Sequence, residues 1–193
     1  MSGTRNTIAR TLGRGVFPHQ FSWLIDNVAR RLIISPQAIA DRLSLSPSSR
    51  VLEIGPGSGF FSSEVSRRIP DGFLALLDLQ PEMLIKARRK LAGAKATRII
   101  YAAADAGNDL PFGDAQFDRV LLVSVLGEVP DQSACVRAIH RVLRPKGIAV
   151  FHESIPDPDL IRLDRLLDLV QPVGFRLVRK WGPSWNYTAA FEK

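Results

Sequence analysis

The sequence predicts a doubly wound α/β domain built on a mostly parallel sheet, and three observations carry that prediction. From residue 50 onward, short apolar segments of strand length alternate with stretches of helical spacing. One of those segments, Val51-Leu52-Glu53-Ile54, runs straight into a glycine turn, Gly55-Pro56-Gly57-Ser58-Gly59. The chain, 193 residues that are 46% hydrophobic and 23% charged, is long enough for one domain with a sizeable core and too short for two of ordinary size.

Residues 1–18 are rich in Gly, Arg and Thr without a steady apolar period, so they read as an arm, with order expected from near Pro18. Between His19 and Leu45 apolar residues fall at helical spacing (Phe21, Leu24, Ile25, Val28, Leu32), and Ser35-Pro36 is expected to start a second, short helix. Residues 1–46 are therefore read as an N-terminal helical extension of the same domain, placed to cover a pocket, and residues 47–193 as its main body. After the loop Ser46-Pro47-Ser48-Ser49, strands are expected near 50–54, 73–78, 97–101, 118–123 and 147–153. The helix-length segments between them imply parallel pairing through right-handed crossovers. Pro130-Asp131 should open the helix whose apolar stripe is Val136, Ile139, Val142 and Leu143, with Pro145 and Gly147 closing it. A further helix is expected over 158–171. Two strands, 175–181 and 185–191, then flank Gly182-Pro183-Ser184 and should pair antiparallel.

The glycine turn is where chemistry is expected. A strand ending in glycines at the start of a helix lets a ligand approach the backbone closely, and the helix offers N–H groups to its polar atoms. Asp78, 19 residues beyond Gly59 at the end of the second strand, can accept hydrogen bonds from two ribose hydroxyls, and Asp105, after the third strand, can accept an adenine amino group. A dinucleotide enzyme would share the first two features. Its G-x-G-x-x-G pattern, however, needs glycine or alanine at Phe60 or Ser62, depending on the frame, and neither frame fits well. Glu53, inside the first strand, favours a ligand with a positive amine, because a carboxylate in a buried strand needs a partner.

Other classes are disfavoured by what the chain lacks. No apolar run approaches the roughly 20 residues of a membrane-spanning helix. The first 15 residues do not have the layout of a secretory signal, and a lone cysteine, Cys135, suits a reducing compartment, so a cytoplasmic location is expected. The formal charge of +7 is concentrated at the start: residues 1–50 hold seven Arg against two Asp. That surplus leaves open a solvated arm, a peripheral contact with a membrane surface, or contact with RNA.

The motifs VLEIGPGSG (51–59), LLDLQPEML (76–84), AADA (103–106), FDRVLLVSVLGEVPD (117–131) and RVLRPKGIAVFHES (141–154) resemble, in order, those of the class I S-adenosylmethionine-dependent methyltransferases. They are most similar to the branch containing ubiquinone and menaquinone C-methyltransferases. The resemblance covers roughly residues 50–153. It implies a Rossmann-like, seven-stranded sheet ending in an antiparallel hairpin, and S-adenosylmethionine as cofactor, with S-adenosylhomocysteine as product. It also implies that Glu53, Gly55, Gly57 and Gly59 surround the methionine end and that Asp78, with Leu79 beside it, holds the ribose. Asp105, with Ala104 before it, would face the adenine, and Ser124 would line the pocket beyond the fourth strand. Two positions depart from that branch. Many relatives have His before the Glu that follows the fourth strand, where this chain has Gly127-Glu128, and the usual Pro-Gly-Gly turn is Pro145-Lys146-Gly147.

A sulfonium methyl donor is already a strong electrophile, so the protein need mainly align donor and acceptor and exclude water. The Asp/Asn-Pro-Pro-aromatic segment of amino-methylating nucleic-acid enzymes is missing from SVLGEVP, and Cys135 lies in a helix, not in a Pro-Cys loop. Arsenite capture would need several thiols. No metal site is expected: Asp118 is at the wrong end of its strand and the three histidines are scattered, with His140 read as a helix-surface residue and His152 as structural. Phe17, His19, Trp23 and Tyr187 are the candidates for an acceptor pocket, with Phe21 and Trp185 as further aromatic material, and Glu128 is the candidate general base. The preferred acceptor is a small apolar or amphipathic molecule, with a quinone-like or lipid-like compound as one option and nucleic acid disfavoured. An RNA methyltransferase and a non-catalytic cofactor-binding partner protein are the alternatives. The oligomeric state is not legible.

Overall fold

The computed structural model describes residues 35–94, 96 and 98–193. Helix α1 (Pro36–Leu43) begins where the Ser35 hydroxyl accepts the amide of Ala38, with proline in the first turn. Strand β1 (Arg50–Ile54) leads through the glycine turn to α2 (Ser62–Arg68), then β2 (Phe73–Asp78), α3 (Pro81–Lys90), β3 (Arg98–Ala103) and β4 (Phe117–Val123). A single 3-10 turn, Leu126–Glu128, precedes α4 (Gln132–Val142). Next come β5 (Leu143–Ser154), α5 (Leu163–Val170), a 3-10 turn at Gln171–Val173, β6 (Arg176–Trp181) and β7 (Asn186–Glu192).

Among the described residues the strands form one seven-stranded sheet in the order β3-β2-β1-β4-β5-β7-β6. Pairing is parallel from β3 through β5, and β7 joins β5 antiparallel with β6 at the edge. Strand alternation divides the core in two. Leu52, Ile54, Leu122 and Phe151 face α4 and α5 through Ile139, Val142 and Leu166, whereas Val51, Leu74, Leu76 and Val150 face α1 to α3 through Ile39, Leu43, Val65 and Leu84. Each of these side chains contributes about 1.5–3 kcal/mol by leaving water. Helix α1 is fastened by Arg119, whose guanidinium donates to the carbonyls of Leu43 and Ser44 at the end of α1. No helix among the described residues is long and apolar enough to cross a membrane.

Two expected boundaries are corrected. Helix α4 ends at Val142, not at Pro145 and Gly147: Leu143 turns extended, is fully buried and pairs with Phe117, so it opens β5 and does not extend the helical stripe. The residue before a proline is pushed out of helical geometry, and Pro145-Lys146-Gly147 becomes an irregularity within the strand, with Lys146 left-handed at φ 64°. The helix expected over 158–171 starts only at Leu163. Ahead of it, the Glu153 side chain takes the Ile161 amide, and Pro156 and Pro158 fall within the connection.

The order β1 next to β4 places the chain reversal between the β1 and β4 ends, where the helices leave in opposite directions and a crevice opens at the carboxyl edge. Gly55, Gly57 and Gly59 sit there with φ of 66°, 54° and 83°. A Cβ at Gly55 would run into the Val125 methyls, whereas one at Gly57 would meet nothing within 4 Å. Gly57→Ala should therefore cost about 1–2 kcal/mol, the left-handed penalty alone, and Gly55→Ala more than that. Val125→Ala should remove the excess in a double-mutant cycle measured by denaturant unfolding. Additive effects in the cycle would show that the Gly55–Val125 contact does not decide the cost.

Candidate active site

Of the residues expected to bind cofactor, Gly57, Asp78 and Ala104 are joined by hydrogen bonds at this crevice. Glu53 points from β1 toward α2, 2% exposed, and its Oε2 accepts the Ser62 hydroxyl at 2.6 Å. One partner of the buried carboxylate is thus a serine in the helix that the glycine turn begins. Asp78 closes β2, 8% exposed. Its Oδ2 accepts the Gly57 amide at 3.3 Å and its Oδ1 the Gln80 amide at 2.9 Å. Burial raises its pKa, against the opposing pull of those two amides. Asp78 does not cap α3: the cap position is Gln80, and the aspartate faces back to the glycines. Each carboxylate oxygen has a second lone pair, so two acceptor positions remain for a diol.

Leu79 follows, about half exposed at the edge, and the amide of Ala104 donates to the carbonyl of Asp78, drawing the β3 end alongside. Asp105 folds into a turn, its Oδ1 accepting the Gly107 amide at 2.7 Å. Ser124 ends β4 in the left-handed region at φ 52°, its amide donating to the carbonyl of His152. That bend is costly for a residue with a side chain, and it turns Val125 onto Gly55.

On the other side of the crevice, Glu128 ends the 3-10 turn after β4 and is half-buried. It does not cap α4. Asp131 does, its Oδ1 accepting the Ala134 amide at 2.8 Å. Cys135 is fully buried in α4, and burial, reinforced by Asp105 and Asp131, pushes its thiol up to about 12, so it is no nucleophile. His152 is buried, with Nδ1 3.0 Å from the Thr188 hydroxyl. Asp118 lies at the amino-terminal end of β4, where it accepts the Arg50 amide. No group of three or more His, Cys, Asp or Glu among the described residues could hold a metal ion.

Tyr187 is corrected from pocket wall to core: it has no exposed surface, and its hydroxyl donates to the carbonyl of Ile161 at 2.6 Å. An aromatic with a polar tip needs a partner when buried, and the tip found one in the backbone. Trp185, at 54% exposure, is the aromatic of the hairpin that faces outward. Phe17, His19, Trp23 and Phe21 lie outside the described residues.

Sequence reasoning missed Glu153, one residue before the end of β5. It is 2% exposed and accepts the Ile161 amide through Oε2 at 3.1 Å. Desolvation pushes its carboxyl up to about 8, with the charges of Asp157 and Glu128 adding to the effect. Flanked by His152 and Ser154, it carries no signal in the sequence.

The methyltransferase domain model matches residues 52–151. The ubiquinone/menaquinone biosynthesis C-methyltransferase UbiE of Teredinibacter turnerae is 33% identical over 150 residues, 74% of this chain and 59% of that protein. An arsenite methyltransferase of Halobacterium salinarum is 30% identical over 134 residues, 67% of this chain and 33% of that protein. The chain thus spans between a third and three fifths of the length of these relatives. In solved structures the fold matches a SAM-dependent methyltransferase from Aquifex aeolicus at a TM-score of 0.82 and 17% identity, covering 92% of this chain and 99% of that one. The chain belongs to the S-adenosylmethionine-dependent methyltransferase family. Its cofactor is accordingly S-adenosylmethionine, and the crevice fits it: Gly57 is open to the cleft, and the buried carboxylate of Asp78 keeps acceptor positions for a ribose.

Glu153 makes stability depend on pH. The unfolded carboxyl titrates near its ordinary 4.5, whereas the folded one keeps its proton to about 8. Its contribution is therefore full below 4.5 and is lost as pH climbs to about 8. Glu153→Gln, which cannot ionise, should gain in melting temperature over the parent as pH is raised from 5 to 8. A gap that stays constant over that range would mean that Glu153 ionises normally in the fold.

Proposed function

We propose that this protein transfers the methyl group of S-adenosylmethionine to a small apolar or amphipathic acceptor, with a quinone-like or lipid-like molecule as the preferred class. The observation that carries this reading is the convergence of Asp78 and the left-handed glycines on the β1/β4 crevice, with Ser124 and Glu128 leaving β4 on its far side. When bound, the cofactor supplies an electrophilic methyl on a neutral leaving group. In this reading Asp78, with Leu79 beside it, takes the ribose hydroxyls and Asp105 faces the adenine. Gly55, Gly57 and Gly59 let the backbone approach the methionine end, and Glu53 braces the turn through Ser62. Ala104 holds the β3 end in place. Glu128 accepts the proton that the acceptor gives up. Phe17, His19 and Trp23 are proposed to cover the acceptor.

Relatives named for quinone methylation support the acceptor class. The arsenite reading is opposed by this chain's only cysteine, which is buried. Tritium from labelled S-adenosylmethionine, followed into the lipid, RNA and polar-metabolite fractions of a cell extract, tests the proposal. Label in the lipid fraction is the expected result, label in RNA would establish the alternative acceptor, and no transfer to any fraction would remove the enzymatic reading.

Two substitutions test the roles. Asp78→Ala should weaken S-adenosylmethionine binding about 10-fold or more in calorimetry, since hydrogen bonds to a charged acceptor contribute roughly 1.5–3 kcal/mol each. Unchanged affinity would take Asp78 out of the ribose site. Glu128→Gln should bind the cofactor normally and lose about 100-fold in turnover. Near-normal turnover would leave catalysis to alignment alone.

A further inference from the structure

We propose that Glu153 is a positioning residue whose carboxyl group pins the 155–162 connection against the turn carrying Gly127 and Glu128, and so fixes the acceptor-side wall of the cleft. This rests on the reading of that side as the acceptor site.

The connection between β5 and α5 is irregular but fastened at several points. The Ile155 amide donates to the carbonyl of Trp185, and the Asp157 amide to that of Ser154. The Asp157 side chain takes the amide of Asp159 at 2.9 Å. At the far end both backbone groups of Ile161 are held from beneath: Glu153 Oε2 takes its amide, and the Tyr187 hydroxyl donates to its carbonyl. Glu153 and Tyr187 face each other across the β5–β7 ladder, so one rung of the sheet grips one residue of the connection. Ile161 itself is buried at 5% exposure.

Gripped in this way, the connection lies on the turn after β4. A Cβ at Gly127 would collide with the carbonyl of Asp159, so the segment sits in the space that any side chain at position 127 would need. Glu128 is the next residue. The distance between the proposed base and an acceptor therefore depends on where 157–161 rests. Glu153 supplies the fixing contact from inside the sheet, with the carboxyls of Glu128 and Asp157 and the phenol of Tyr187 as the titratable groups around it.

The test compares Glu153→Ala, Glu153→Gln and Gly127→Ala. Amide exchange across 155–163 would be read by mass spectrometry, S-adenosylmethionine affinity by calorimetry, and methyl transfer by label entering a chloroform–methanol lipid extract at graded concentrations. Glu153→Ala and Gly127→Ala should each speed exchange of the 157–161 amides about tenfold and raise the half-saturating extract concentration at least fivefold, with cofactor affinity within twofold of the parent. Glu153→Gln, which keeps an oxygen for the Ile161 amide, should restore both. Unchanged exchange in Glu153→Ala overturns the proposal, as does faster exchange with an unchanged acceptor requirement. If the unmodified protein labels nothing in the extract, the acceptor reading fails instead, and exchange alone decides whether Glu153 holds the connection.

Discussion

Strand β1 is hydrogen-bonded on both sides, to β2 and to β4, and the chain can leave its carboxyl end only by turning sharply out of the sheet. That constraint organises the site. The turn needs positive φ at Gly55, Gly57 and Gly59, and the amide of Gly55 is still held by the β2 carbonyl of Leu77 as the turn begins. The neighbouring strand β4 must then bend away from the same point, and it does so at Ser124, a residue for which the left-handed region is unfavourable. Asp78 and Ser124 flank the glycines because β2 and β4 end level with β1.

Charge burial follows the same geometry. Glu53, Asp78 and Glu153 are each under a tenth exposed, and each lies at or near the carboxyl end of its strand. They are stabilised differently. Glu53 is held by a hydroxyl, Asp78 by two backbone amides, and Glu153 by a single amide in a dry setting. Burial outweighs the single amide at Glu153 and pushes its carboxyl up to about 8, and it raises the Asp78 carboxyl too, against the pull of two amides.

How much of this was legible in the sequence depended on how local each cause was. The glycine turn, Asp78 and the Ser35-Pro36 helix start each arise from neighbouring residues, and spacing alone located them. The β5 start was misplaced because Leu143 suits a helical stripe as well as a strand, and its pairing with Phe117, 26 positions away, decides between them. Tyr187 was misread for a related reason: composition shows an aromatic near a turn, while only the packed hairpin shows that its hydroxyl has the carbonyl of Ile161 to satisfy. Glu153 left no pattern at all, since its partner is a backbone amide and any residue except proline could have supplied it.

The Asp78 side of the crevice is framed by the ends of regular strands, whose register is shared with the whole sheet, while the other side is framed by an irregular connection tied down at Ile155, Asp157 and Ile161. These two sides differ in how freely a lineage can remodel them. A change of register in β1 or β2 would shift every neighbour, whereas lengthening a loop costs only about 0.6 kcal/mol per doubling. On the sites proposed above, the same scaffold can therefore exchange one acceptor for another by replacing the segment between Ser154 and Leu163 while the glycine turn and Asp78 stay as they are.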